Sequence, residues 1–186
     1  MNEVINAILN RRSVRVYSDE QIKQEDLDQI LQAGLYSPSG CNMQPWHFTV
    51  VQNKDLMNEI NDETKKILLN CDSEKFQAYA KNENYNIFFN ATTTIIISGE
   101  KEELVPQTDC AAATENMLIA AESLGIGTCW VGLITYLFMS EKGAEYTTKL
   151  QIPEGYEPYY AITLGYKKYP DPKPLPRREN TVNYIK

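Results

Sequence analysis

Every second residue from Pro170 to Pro176 is proline. The pyrrolidine ring fixes φ and removes the amide donor, so this stretch makes neither a helix nor a central strand. It is an extended, stiff segment with no core of its own, and such a segment needs another surface to lie on. The composition changes at Lys168, which divides the chain into one domain over residues 1–168 and an arm over 169–186. A chain of 186 residues is long enough to bury a core without staples.

Within the domain, helical and strand patterns alternate. Val4, Ile5, Ile8 and Leu9 make a short amphipathic helix that delivers Arg11 and Arg12 at its end. A second helix runs from Asp26 to Ala33, with Leu27, Ile30 and Leu31 on one face. Gly34 sits near its end and Pro38 blocks extension. Trp46–Val51 is a nearly unbroken apolar run, which predicts a strand buried on both faces. A helix follows from Lys54 to about Asn70. Cys71 to Asn86 has no clear period and predicts a loop with a helical turn.

Thr92–Ile97 is a second strand, favoured by its β-branched run. Pro106–Leu124 is the longest helix, and its alanine-rich face (Cys110, Ala113, Met117, Ala120, Ala121, Leu124) lets another helix approach closely. Gly125 and Gly127 stop it. A strand over Thr128–Ile134, a helix over Phe138–Leu150 and a strand over Tyr159–Tyr166 complete the domain. This order predicts a mixed sheet layered with helices.

The net charge of −7 argues against nucleic-acid binding, which needs a basic face. Against that acidic background two basic clusters stand out: Arg11, Arg12 and Arg15, and the tail residues Lys167, Lys168, Lys173, Arg177 and Arg178. The four cysteines are far apart, and with a single histidine they predict no metal site. No apolar run approaches the ~18 residues of a membrane span, and no leader pattern precedes the first helix. The expectation is a reduced, soluble, cytoplasmic protein without membrane contact.

Two segments carry the chemistry. Arg11, Ser13 and Arg15 occupy alternate positions, so an extended backbone puts them on one face, as a phosphate would require. The alternative is a set of solvated charges offsetting a helix dipole. The loop from Ser37 to Pro45 offers Ser37, Ser39 and Asn42 for hydrogen bonding, and Gly40 for close backbone approach. The alternative there is an ordinary helix-to-strand connection. Gly125-Ile126-Gly127 lacks the third glycine of a dinucleotide fingerprint and lies between a helix and a strand in the wrong order. Gly132, at a strand end, can present backbone amides to a ring edge or simply make a bend. His47 reads as structural and Cys41 as a lining residue.

Arg11-Arg12-Ser13-Val14-Arg15 followed by Ser37-Pro38-Ser39-Gly40-Cys41-Asn42-Met43-Gln44-Pro45-Trp46 resembles the nitroreductase family of flavin enzymes. Asp109–Gly132 resembles that family's central helix and following strand, and the basic tail through Arg177-Arg178 its terminal phosphate contact. The resemblance covers nearly the whole chain. It implies an α+β, three-layer α-β-α fold with a mixed, mostly antiparallel central sheet. It also implies an intertwined homodimer, in which the arm packs on the partner and FMN lies non-covalently at the subunit interface. Carried over by position, Arg11, Arg12 and Ser13 contact the phosphate and ribityl end, and Arg15 approaches the pyrimidine edge. Pro38, Ser39, Gly40 and Asn42 come from the partner. Val131 and Gly132 face the reactive edge, and Arg177 or Arg178 closes over the phosphate. Cys41 departs from the small hydroxyl residue common in relatives.

The implied activity is ping-pong transfer from NADH or NADPH through FMN to a nitroaromatic, quinone or other small oxidised acceptor. No amino-acid side chain is singled out as catalytic, because the hard chemistry belongs to the cofactor. Rival readings are a flavin-storage protein without turnover, an offshoot acting as a dehydrogenase or dehalogenase with another donor, and a cofactor-free interaction domain.

Overall fold

Ile95, Ile96 and Ile97 are all fully buried, although successive strand residues point to opposite faces. The strand that carries them, β2 (Thr93–Glu100), therefore needs cover on both sides. The computed structural model, which describes residues 2–186, supplies that cover with helices. Helices α2 (Gln24–Leu35) and α5 (Pro106–Ser123) pack on the face carrying Ile95, Ile97, Ile162 and Leu164. Helices α3 (Lys54–Leu68), α6 (Thr135–Phe138) and α7 (Gly143–Lys149) bury Met57, Ile60, Leu137 and Tyr146 against Ile96 and Ala161 on the other. Each large side chain buried this way contributes about 1.5–3 kcal/mol. The result is the expected α+β, three-layer α-β-α arrangement.

The sheet has the order β1-β2-β4-β3, with β1 at Trp46–Val51, β3 at Ile126–Val131 and β4 at Tyr156–Tyr166. All three pairings are antiparallel. A parallel element comes from outside them, as a single bridge between Ser13 and Thr128. β1 and β3 are the outer strands. Residues 47–50 of β1 are only half-buried, not covered on both faces as the apolar run predicts, because an outer strand has a neighbour on one side only.

Other boundaries shift for local reasons. The stretch after Cys71 contains a true helix, α4 (Glu74–Lys81), whose first turn is capped by the Ser73 hydroxyl accepting from the Phe76 amide at 3.4 Å. The helix expected over Phe138–Leu150 is two helices, α6 and α7. Between them the Ser140 hydroxyl accepts from the Lys142 amide at 3.1 Å and replaces helical pairing with a turn. β3 begins two residues earlier than predicted and ends at Val131, where the Gly132 carbonyl accepts from the Thr135 amide at 3.1 Å and from its hydroxyl at 2.7 Å. Gly125, with φ at 75°, is the stop of α5, whereas Gly127 lies inside β3.

The N-terminal helix α1 (Glu3–Asn10) forms as expected, but only Ala7 is buried. Val4, Ile5, Ile8 and Leu9 remain 41–60% exposed.

Residues 11–18, here called the strap, follow α1 and run beside β3 and the end of β4. The Val14 amide donates to the Thr128 carbonyl at 2.8 Å, and the Ser18 amide to the Tyr166 carbonyl at 2.9 Å. Two glycines make the approach possible. Gly127 and Gly165 are cross-strand partners. A β-carbon on Gly127 would fall 2.9 Å from Val14 Cγ1, and one on Gly165 would fall 2.9 Å from the Tyr17 ring. The Tyr17 hydroxyl bonds the Thr163 hydroxyl at 2.8 Å and donates to the Val14 carbonyl at 2.7 Å, fastening the strap to the sheet face. Gly165→Ala is therefore expected to destabilise the fold by about 1–3 kcal/mol through overpacking against Tyr17, measured by urea denaturation.

Candidate functional site

The strap carries Arg11, Arg12, Ser13 and Arg15 along the outer edge of β3. Val14 turns inward over Gly127, so Ser13 and Arg15 on either side of it are exposed. Beneath them lies the buried thiol of Cys129. Burial pushes this thiol up, while the nearby positive charges of Arg15 and Arg11 act in the opposite direction. The bridge from Ser13 to Thr128 seats this segment on β3, next to Cys129, with Ser13 and Arg15 exposed at alternate positions. Arg15 also lies over the Phe89 ring at 5.7 Å from its centroid. Tyr85 meets Phe89 edge-on with centroids 6.0 Å apart and stacks on Tyr79 at 4.7 Å, forming an aromatic wall beside the guanidinium.

The three arginines are not equally engaged. Arg11 makes a loose pair with Glu115 of α5 at 3.8 Å, and Arg15 donates to the Ser13 carbonyl at 3.4 Å. Arg12 instead donates to the carbonyls of Arg11 at 2.7 Å, Leu9 at 2.9 Å and Pro172 at 3.2 Å. Arg11 and Arg15 thus keep most of their donors for an anion, whereas Nε and Nη1 of Arg12 are taken by backbone carbonyls.

The loop from Ser37 to Pro45 is built differently. Cys41, Asn42 and Gln44 have φ of 49°, 59° and 51°, the left-handed region. Two bonds hold this conformation. The Ser39 hydroxyl accepts from the Gln44 amide at 2.9 Å, and the Gly40 amide donates to the buried Asp109 carboxylate at 3.1 and 3.2 Å. Asp109 sits in the first turn of α5, where a carboxylate is favoured by the helix dipole. Asp109 in turn helps burial to push the neighbouring Cys110 thiol up to about 12.

This loop leads into β1, while the strap lies on β3, three strand spacings away in the order β1-β2-β4-β3. At ~4.8 Å per spacing the two edges are roughly 14 Å apart. One chain therefore brings Arg11, Ser13 and Arg15 together, but does not bring Pro38, Ser39, Gly40 and Asn42 to them. Val131 and Gly132 lie on the strap's own strand, beyond Thr128 by roughly 3.3 Å per residue. Space beside Gly132 is open, with no atom within 4 Å of a β-carbon placed there. Arg177 and Arg178 lie exposed in the extended arm. Cavities of ≈ 980 and ≈ 510 Å³ open elsewhere, beside Cys71 and Tyr136 and beside Gln52 and Asn58. Neither is bordered by the strap.

Several contributing residues have no local signal in the sequence. Asp109, Glu115 and Tyr17 act through partners 69, 104 and 146 positions away. Gly127 and Gly165 do carry one, since a lone glycine inside a strand pattern marks close backbone approach. Replacing the loop anchor tests the geometry: Asp109→Ala should speed hydrogen exchange at the Gly40 amide by about tenfold or more while leaving Val14 unchanged, read by NMR.

The sequence profile of the Nitroreductase family matches residues 8–166. An Archaeoglobus fulgidus protein named as a candidate NADH dehydrogenase/NAD(P)H nitroreductase is 35% identical over 173 residues, covering 90% of this chain and 87% of its own. A Bacillus subtilis FMN reductase [NAD(P)H] is 29% identical over 175 residues, covering 89% of this chain and 66% of its own. The crystal structure of a nitroreductase with bound FMN from Bacteroides fragilis superposes over 100% of both chains at 35% identity, with a TM-score of 0.92. An FMN-bound nitroreductase from Desulfitobacterium hafniense gives 0.91 at 28% identity, again over 100% of both chains. With the strap, the loop and the central helix all inside the matched region, the chain belongs to the nitroreductase family.

Proposed function

We propose that this protein is an FMN-dependent oxidoreductase that draws electrons from NADH or NADPH and passes them to a small oxidised acceptor such as a nitroaromatic or quinone. The observation that carries the reading is the strap, fastened to Thr128 of β3 with Ser13 and Arg15 exposed and Arg11 at the alternate position before them, in a chain 35% identical along its full length to a nitroreductase with bound FMN.

The residues present fit that cofactor. Arg11 and Ser13 supply bidentate and hydroxyl donors for a phosphate. Arg15 holds a fixed positive charge where the pyrimidine edge would lie, and a preplaced charge stabilises electron density gathering there. The sheet edge from Thr128 to Gly132 is long enough to carry a fused planar ring, and the open space at Gly132 admits one. FMN supplies the electron chemistry, and the chain's task is to bind, orient and polarise it.

The second half of the site comes from a second copy. Loop residues Pro38, Ser39, Gly40 and Asn42 reach the partner's strap, and the arm lies along the partner with Arg177 or Arg178 over the phosphate. Two features support a homodimer. The apolar residues Val4, Ile5, Ile8 and Leu9 of α1 are exposed, as are Leu175, Val182, Tyr184 and Ile185 of the arm. A monomer rarely exposes so much apolar surface. Four unpaired thiols suit a reducing, cytoplasmic setting.

Purified protein should be a yellow dimer whose flavin absorbance bleaches on addition of NADH or NADPH under argon and returns with a nitroaromatic or quinone. A colourless monomer that takes up no added FMN overturns the reading. Arg15→Ala should slow that bleaching more than it weakens FMN retention, in stopped-flow and equilibrium titrations respectively. Exposed Cys41 should be alkylated by iodoacetamide in the FMN-free protein and shielded several-fold once FMN is bound, measured by peptide mass mapping.

A further inference from the structure

We propose that Arg12 is a positioning residue: together with Lys167 it forms a clasp that fixes where the C-terminal arm leaves the domain. Its guanidinium does not reach for the anion that Arg11 and Arg15 would hold.

The clasp has two halves. In the first, Arg12 caps the C-terminal end of α1 by donating to the carbonyls of Leu9 at 2.9 Å and Arg11 at 2.7 Å. These are acceptors a helix end leaves without intrahelical donors. From the same fork its Nε reaches Pro172 in the arm at 3.2 Å, a contact across 160 positions of sequence. In the second half, Lys167 donates to Glu122 near the end of α5 at 2.8 Å and to Asp171 in the arm at 2.5 Å. The three side chains are only 17%, 11% and 23% exposed, so water competes weakly for them. The Lys168 amide adds a backbone bond to the Val16 carbonyl of the strap at 3.3 Å.

The arm's root is thus tied to the strap at Val16 and at Arg12, and to α5 through Lys167. Asp171 and Pro172, caught side by side, belong to the run of alternating prolines. A proline segment is stiff, so direction set at its root persists along it. Fixing Pro172 therefore aims Arg177 and Arg178. Arginine suits the Arg12 position because one planar group must satisfy acceptors in different directions, which a lysine ammonium on a single flexible stem does less well.

The first test uses intact, FMN-free protein and needs no cofactor. Trypsin can cut after Lys168 inside the clasp and after Arg178 beyond it, and mass spectrometry follows both sites. Arg12→Ala should raise the rate of cleavage after Lys168 by about tenfold and leave cleavage after Arg178 unchanged, because opening of the clasp limits only the first. Arg12→Lys should recover part of the protection, and Arg11→Ala should leave it intact. Unchanged cleavage after Lys168 in Arg12→Ala, or an equal rise at both sites, overturns the clasp.

The consequence for the arm rests on the FMN reading above. In a double-mutant cycle, Arg12→Ala should weaken FMN binding in the wild-type background and add little in an Arg177→Ala/Arg178→Ala background. Additive losses would mean that Arg12 touches the phosphate itself, and would overturn the positioning role. If no variant and no wild-type preparation takes FMN, the cofactor reading fails while the cleavage result still decides the clasp.

Discussion

The architecture depends on the contact between the strap and the sheet. Two backbones approach there because Gly127 and Gly165 face each other across β3 and β4 and present no β-carbons. Each glycine in a strand costs about 0.5–1 kcal/mol relative to alanine. Burial of Tyr17, whose hydroxyl bonds both Thr163 and the Val14 carbonyl, offsets that cost. This contact determines where Ser13 and its flanking arginines stand along β3, and it also determines the position of Val16, whose carbonyl holds the arm's root. A change in this contact would move the guanidiniums and the arm together.

The sheet order imposes the second constraint. The loop that begins β1 and the strap that borders β3 sit on opposite outer strands, with β2 and β4 between them. No hinge within one chain closes that gap while the buried Ile95–Ile97 core stays intact. A two-fold partner would close it twice, placing each loop on the other copy's strap in an isologous contact. In the proposed dimer the exposed apolar residues of α1 and of the arm then have a reason to be apolar.

Most elements were legible in the sequence, and the departures share a cause. Period and breakers placed α1, α2, α3, α5 and the strands within a few residues, because those signals are local. The split of α6 from α7 turned on one hydroxyl, Ser140, competing for a backbone amide. α4 was hidden because its aromatics, Phe76 and Tyr79, face one another and the neighbouring Tyr85 instead of a single apolar core. In the site, the spacing of Arg11, Ser13 and Arg15 was readable as a shared face. The diversion of Arg12 to Pro172 was not, since its acceptor is a carbonyl in a segment with no pattern of its own. Asp109 was equally silent, because its carboxylate finds a backbone amide and leaves no matching side chain to notice.

An acidic chain that holds an anion needs an account of its own, for the net charge is −7. Screening supplies part of it. At physiological salt the Debye length is about 8 Å, so distant carboxylates contribute little at the strap while neighbouring guanidiniums act almost unscreened. Geometry supplies the rest. Glu122 and Asp171, the acids beside the arm's root, are paired with Lys167, and Asp109 faces the Gly40 amide. Glu115 pairs with the strap, but it sits 3.8 Å from Arg11, too far for a close hydrogen-bonded pair. An arriving phosphate would compete with this loose partner, and Arg11 would exchange a weak contact for a bidentate one. The clustering of three arginines into five residues, together with the pairing of Glu122 and Asp171 by Lys167, concentrates positive charge at the strap of a negative protein.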